Sequence, residues 1–278
     1  MGPYEKLFIY EISDEISLKA GSFGRDFIGC WNEGGSSFLF FSQDRNREVR
    51  EWLTRQGRGD LLSLHVMDYR DWQAGEELKS FQVEKFLIVP SWEPVGKVDD
   101  GVLIRLDPGV VFGTGFHPTT RACLKTLWDI CQRDTPQRVL DIGTGTGILA
   151  IAAAKLGVRD VFGIDHNQLA VETARNNVLL NGVQDRVTVT RGKAESVEFD
   201  GADVVLANLH FQAIDAFLRR EKFVSTCWIV LSGLLSRQAD GALTTIKTWP
   251  FKVHSRLEEH HWVTLVLRRL PSIVSTDG

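Results

Sequence analysis

The stretch Val139-Leu140-Asp141-Ile142-Gly143-Thr144-Gly145-Thr146-Gly147 runs directly into Ile148-Leu149-Ala150-Ile151-Ala152-Ala153-Ala154. An apolar strand ends around an acid, three alternating glycines follow, and an apolar helix starts at once. Glycine is required where backbone turns tightly and must approach a ligand with no Cβ in the way. A strand–glycine loop–helix unit is the nucleotide-binding corner of a doubly wound α/β sheet. The spacing here is G-x-G-x-G, whereas dinucleotide sites use G-x-G-x-x-G, and an acid stands near the strand end where those sites are apolar.

That combination points to S-adenosyl-L-methionine. Asp141 and the amides around Gly143, Gly145 and Gly147 suit its polar methionine end, and no phosphate has to be cradled. Val161-Phe162-Gly163-Ile164-Asp165 reads as the next strand, and Asp165 lies 22 residues after Gly143. A carboxylate at that strand tip can accept hydrogen bonds from both hydroxyls of a nucleoside ribose. Its other reading is an N-cap of the following helix.

Around this unit the chain alternates strand and helix, which predicts an open, mostly parallel sheet. Helices are expected over Thr119–Cys131, Ile148–Leu156, Gln168–Leu180, Phe211–Arg219 and Leu235–Lys247. The strands are Arg138–Ile142, Asp160–Ile164, Val187–Thr190, Val204–Ala207 and Cys227–Leu231. The last two, Phe251–Leu257 and Val263–Arg268, have no helix between them and should pair as an antiparallel hairpin. The fold class is therefore α/β, a doubly wound, mostly parallel seven-stranded Rossmann-like sheet.

The N-terminal part reads differently. Lys6–Ile12, Phe27–Trp31, Ser37–Ser42 and Leu61–Met67 have strand character, with a hairpin turn at Glu33-Gly34-Gly35. Asp44 opens a helix to about Gln56, with Val49, Trp52 and Leu53 on one face. A further short helix around Asp14–Ala20 would complete βαββαβ, a ferredoxin-like α+β unit. Three regions result: residues 1–70 as the ferredoxin-like domain, to which the family likeness described below gives substrate recognition, 71–90 as a linker with a polar helical stretch at Asp71–Ser80, and 91–278 as the cofactor domain.

Composition narrows the classes. The chain has 278 residues, 43% of them hydrophobic and 24% charged, as in a globular protein. It lacks a run long and apolar enough for a membrane span, and its first residues lack a signal-type apolar core, so a cytoplasmic location is expected. Cys30, Cys123, Cys131 and Cys227 are scattered without a C-x-x-C pair, as suits reduced thiols. Residues 1–90 hold 11 Lys and Arg against 15 Asp and Glu; residues 91–278 hold 21 of each. The acidic first part favours a basic protein partner and disfavours nucleic acid, although ordinary solubility charge has the same appearance.

Two further stretches refine the site. Asp107-Pro108-Gly109-Val110-Val111-Phe112-Gly113-Thr114-Gly115-Phe116-His117-Pro118-Thr119-Thr120 is a glycine-rich loop entering a helix at Pro118. Ala202-Asp203-Val204-Val205-Leu206-Ala207-Asn208-Leu209-His210 delivers Asn208 to the carboxyl edge of the sheet, where ligands bind in such folds.

With these residues in place the chain resembles the PrmA family, the methyltransferases of ribosomal protein L11, over roughly residues 70–270. Ser91-Trp92 and Leu231-Ser232-Gly233-Leu234-Leu235 with Gln238 also look like that family. The resemblance implies an S-adenosylmethionine-dependent protein methyltransferase acting on lysine or α-amino groups of a basic ribosomal protein, as a monomer with a mobile N-terminal domain. It implies cofactor contacts at Thr120, Gly143, Asp165 and Asn208, and lets Trp92 frame the substrate entrance. The chain departs from the pattern at Leu209-His210-Phe211, where the family reads Asn-Ile-Leu from the asparagine on, and at Phe116, where threonine is common. Another protein, a small amine, or a binding module without turnover are the alternatives.

Asn208 is the candidate catalytic residue: its carbonyl can orient an amine, and a methyl sulfonium needs positioning more than a strong base. His117 suits a loop brace as well as catalysis, and His210 could serve as a base. Glu258-Glu259-His260-His261 resembles a metal cluster only in composition, because neighbours on a strand face opposite ways. No metal is expected.

Overall fold

Period-two alternation builds the N-terminal sheet from β1 (Lys6–Ile12), β2 (Phe27–Glu33) and β3 (Ser36–Phe41), with α1 (Asn46–Gln56) leading into β4 (Leu61–Asp68). In this computed structural model the described residues are 3–18, 22–72, 78–96, 98, 100–196, 201–219 and 226–271. The sheet order is β2-β3-β1-β4, with every neighbouring pair antiparallel. That is the ferredoxin-like order, reached among the described residues with one helix fewer than expected.

The helix expected around Asp14–Ala20 does not form over residues 13–18; residues 19 and 20 lie outside the described set. Side chains take up the backbone groups a helix would have used. The Ser37 hydroxyl accepts from the Ile16 amide at 2.7 Å and donates to the Asp14 carbonyl at 2.7 Å. Asn32 Nδ2 donates to the Ile16 carbonyl at 2.9 Å. Such local bonds compete directly with helix formation. The cap position of α1 falls on Arg45, one residue later than expected, and Asp44 accepts from the Asn46 amide at 2.8 Å just ahead of it.

The two faces of this sheet have different neighbours. Tyr10, Ile12, Leu39 and Phe41 pack beneath α1 with Val49 and Leu53. Leu7, Ile9 and Phe40 pack the other way, against Val110, Val111, Leu169 and Ala170 of the remainder of the chain. α2 (Tyr69–Trp72) follows, so the helical part of the expected connector is shorter than Asp71–Ser80 and begins earlier; residues 73–77 are outside the described set. The Tyr69 hydroxyl donates to the Gly109 carbonyl at 2.6 Å, and Trp72 Nε1 to the Val110 carbonyl at 3.2 Å. Both contacts tie the N-terminal sheet to the loop that opens at Asp107.

A small sheet of β5 (Phe81–Val83), β6 (Phe86–Pro90) and β7 (Val102–Leu106) comes next. β6 and β7 are apolar runs of strand character at Phe86–Pro90 and Val102–Leu106, whereas β5, at three residues, is too short for periodicity to reveal. The remaining elements are α3 (Pro118–Arg133), β8 (Arg138–Ile142), α4 (Ile148–Lys155), β9 (Asp160–Asp165), α5 (Gln168–Leu180), β10 (Val187–Arg191), β11 (Val204–Asn208), α6 (Phe211–Leu218), β12 (Trp228–Leu234), α7 (Ser236–Thr245), β13 (Phe251–Glu259) and β14 (Trp262–Arg269).

The seven-stranded sheet runs β10-β9-β8-β11-β12-β14-β13, parallel except for β14, which is antiparallel to both neighbours. Its central strands β8, β11 and β12 are buried on both sides, as parallel strands must be when helices cover both faces. Val204 and Leu206 join one core with residues of α3, α4 and α5; Val205 and Ala207 join the other with residues of α6 and α7. The winding reverses between β8 and β11, and a ligand crevice opens at the carboxyl ends of strands at such a point.

Candidate active site

The glycine loop leaves β8 and is bound to the tip of β9. The Gly143 and Thr144 amides donate to the Ile164 carbonyl at 2.8 and 2.9 Å. The Gly145 amide donates to Asp165 Oδ2 at 3.1 Å. Gly145 has φ +56°, and a Cβ there would lie 2.5 Å from the Phe112 carbonyl oxygen. No larger residue fits, because the obstacle is backbone. A Cβ on Gly143 (φ +69°) would lie 2.1 Å from Leu209 Cδ2. The loop is thus a cradle with a floor that side chains would fill.

The Asp107–Thr120 loop lies across this cradle. The Thr146 amide donates to the Phe112 carbonyl at 3.1 Å, and the Thr146 hydroxyl to the Gly113 carbonyl at 2.7 Å. Asn177, fully buried on α5, accepts from the Asp107 amide at 2.8 Å. Its Nδ2 donates to the carbonyls of Asp107 and Thr146, each at 2.9 Å. One side chain therefore holds both loops.

Between them opens a cleft of about 620 Å³, bounded by Gly143, Gly145, Asp165, Asn208, Leu209, Gly233 and Trp262 among others. Asp165 Oδ1 accepts from the Asn167 amide at 3.0 Å, and Oδ2 from Gly145. A carboxylate has about four acceptor positions, so with these two amides bound, and His166 Nδ1 3.4 Å from Oδ1, Asp165 still has acceptor capacity for a ribose hydroxyl. The N-cap of α5 is Asn167, so Asp165 itself does not cap that helix. Asn208, at the end of β11, donates from Nδ2 to Thr120 Oγ1 at 3.3 Å. That bond orients the carboxamide and leaves Oδ1 as the acceptor at the cleft.

The expected site residues thus divide. Gly143, Gly145, Asp165 and Asn208 line the cleft. Thr120, Asp141 and Gly147 stand behind it. Asp141 is buried under the loop, where it accepts from the Thr144 hydroxyl at 2.6 Å and from the Ala150 amide. Burial pushes its carboxyl up to about 7. Gly147 begins α4, and a Cβ there would press on Ala174 of α5. Thr120 acts through Asn208. Trp92 also lies away from the cleft, around a small hollow with Phe81 and Phe116. Phe116 stacks on Phe81 at 4.2 Å between ring centroids, so its departure from the family pattern serves β5.

His117 caps α3. Its Nδ1 accepts from the Thr119 amide at 3.4 Å and pairs with the Thr119 hydroxyl at 2.7 Å. Burial, then the nearby His261, hold its imidazole below the usual histidine range. The ring sits between Phe112 and Trp262, at 5.4 and 5.1 Å. His210 lines the cleft, exposed, at the start of α6. His260 and His261 form the exposed β13–β14 turn, and no metal-binding cluster occurs among the described residues.

Several cleft residues have no counterpart in the sequence reading. Trp31 comes from β2 of the N-terminal sheet, Trp262 from the start of β14, and Asn167 from the cap of α5. Only Asn167 left a trace, as a cap-type residue two places after Asp165.

The sequence pattern of the ribosomal protein L11 methyltransferase (PrmA) family matches residues 42–270. The chain belongs to that family. The match reaches into the N-terminal domain, further than the motifs alone extended. The L11 methyltransferase of Halalkalibacterium halodurans is 36% identical over 183 residues, 65% of this chain and 58% of that protein. The Heliobacterium modesticaldum enzyme is 33% identical over 85% of this chain and 77% of its own length. The crystal structure of the ribosomal protein L11 methylase of Lactobacillus delbrueckii subsp. bulgaricus superposes with a TM-score of 0.60 at 26% identity. It covers 69% of this chain and 98% of that one.

PrmA proteins are S-adenosylmethionine-dependent methyltransferases, and this cleft fits that cofactor. Gly145 excludes a Cβ, Asp165 keeps acceptor capacity for a ribose, and buried Asn167 Nδ2 has no hydrogen-bond partner among the described residues.

Proposed function

We propose that this chain transfers methyl groups from S-adenosyl-L-methionine to lysine and α-amino groups of ribosomal protein L11. The observation that carries the reading is Asn208. Its oriented carboxamide presents Oδ1 to the cleft that Asp165 and the glycine cradle also line.

When bound, the cofactor supplies an electrophilic methyl on a cationic sulfur. The protein has to bring a neutral amine to it. A free lysine has a pKa near ~10.4, and a poorly hydrated pocket lowers that value by disfavouring the charged form. Leu209, Phe112 and Trp262 make such a surface around Asn208. Asn208 Oδ1 accepts one amine N–H and so aims the lone pair; proximity and desolvation do the rest. His117 braces the loop, its Nδ1 being occupied by Thr119.

In this reading residues 1–70 recognise the substrate, 71–90 link, and 91–278 catalyse. The acidic balance of residues 1–90 suits a basic ribosomal protein. The protein acts as a monomer in the cytoplasm, without contacting nucleic acid or membrane. Among the described residues no helix is long and apolar enough to cross a membrane.

The test is transfer of labelled methyl to purified L11, beside other large-subunit proteins and a lysate cleared of ribosomes. Label on L11 is the expected outcome. Label only in the cleared lysate would move the specificity to another protein or a small amine. No label with demonstrable cofactor binding would leave a binding module.

A further inference from the structure

Two buried side-chain donors at the cleft lack an acceptor on the protein: Nε1 of Trp31 and Nδ2 of Asn167. Asn167 cannot exchange its amide groups without loss, because its Oδ1 caps α5 by accepting from the Leu169 amide at 2.9 Å. Its Nδ2 is therefore held as a donor by the fold. Trp31 belongs to a different sheet, yet lines the same cleft, and it packs against the cluster of Leu169 and Ala170 in the first turn of α5, just after Asn167. A donor shut away from water without a partner is costly, and native structures rarely keep one without a use.

The position of Trp31 is fixed by packing around it. Two residues earlier in β2, Gly29 passes so close to α5 that a Cβ would lie 2.3 Å from Leu169 Cδ1. Tyr69 and Trp72 hold the same sheet to the Gly109 and Val110 carbonyls. These contacts flank the cleft without lining it, and they bring the Trp31 indole to its edge.

We propose that Trp31 is a cofactor-binding residue supplied by the N-terminal sheet, its indole N–H donating to the adenosine portion of S-adenosylmethionine beside Asn167. The adenosine is the part concerned because Asn167 is bonded to Asp165, the residue suited to a ribose, and Trp31 packs on the first turn of the same helix. This inference rests on the cofactor reading above. It also makes docking of the N-terminal sheet and cofactor binding mutually favourable, since each completes the other's contacts.

The test is calorimetric titration of the full-length chain with S-adenosylhomocysteine, which binds without reacting. Trp31→Phe keeps an aromatic ring for packing and removes the donor, so it should bind about tenfold more weakly, with an unliganded Tm close to that of the unaltered chain. Equal affinity in a folded Trp31→Phe overturns the inference and leaves the cofactor reading standing. An unaltered chain that does not bind removes both. Should Trp31→Phe fail to fold, the assigned indole 1H–15N resonance of Trp31 is followed in the unaltered chain, with Trp262→Phe separating the other cleft tryptophan. A downfield shift at saturation supports the hydrogen bond; an unmoved resonance overturns it.

Discussion

The Thr144 hydroxyl donates to the Asp141 carboxylate across 2.6 Å, beneath the glycine loop, with both side chains almost wholly shielded from solvent. The acid that first marked the cofactor motif therefore supports the cradle from below. Burial raises its pKa from the ordinary 3.8 to about 7, opposed in part by the bonds from Thr144 and the Ala150 amide. A folded-state pKa above the unfolded one stabilises the fold most at pH below the unfolded value. That contribution is lost as pH rises through the folded value. Between pH 5 and 8 this one group should remove about 3 kcal/mol. Urea unfolding of the parent chain and Asp141→Asn across that range checks it: the variant's relative stability should rise with pH. Parallel curves would show that Asp141 stays ionised throughout.

Asn208→Ala should lower kcat by about 10²- to 10³-fold, a positioning loss, while S-adenosylhomocysteine affinity changes far less. Thr120→Val removes the hydroxyl that orients the carboxamide and should cost roughly tenfold in kcat. Equal losses of affinity and turnover in Asn208→Ala would reassign the residue to cofactor binding.

Gly145→Ala puts a methyl 2.5 Å from a backbone oxygen at φ +56°. The cradle must open, since no side chain can rotate away. A loss of at least about 2 kcal/mol in stability is expected from strain and displacement together. Calorimetry should find cofactor affinity reduced by more than tenfold; a variant that binds normally would mean that the loop is pliable.

Asn177→Leu leaves the Asp107 amide and the Asp107 and Thr146 carbonyls without their shared partner. Unpaired buried groups cost roughly 1–3 kcal/mol each, so thermal unfolding should fall by several degrees. Proteolysis within residues 107–117 should quicken at the same time. Unchanged cleavage would separate the two loops energetically.

Much of this arrangement was readable along the chain. The glycine spacing, Asp165 and the closing hairpin each rest on local sequence, and the sheet carries them where expected. Position within the loop was not readable: Asp141 and Gly147 bear the same signature as Gly143, yet one faces inward and the other meets α5. The missing helix after β1 was hidden for a related reason. Its backbone is taken up by Ser37 and Asn32, residues that lie beyond it in the chain.

Period, glycine spacing and strand-end acids act within a few residues, and from them come the α/β alternation, the cofactor class and the family likeness. Which side chains face the cofactor depends on contacts between distant segments. Trp31 reaches the cleft only because the second face of the N-terminal sheet is apolar and buries itself on Val111, Leu169 and Ala170. Asn208 is oriented only because Thr120 stands opposite, 88 residues away in sequence. Burial and hydrogen bonding across such separations are properties of the packed chain, and packing placed those two side chains at the cleft.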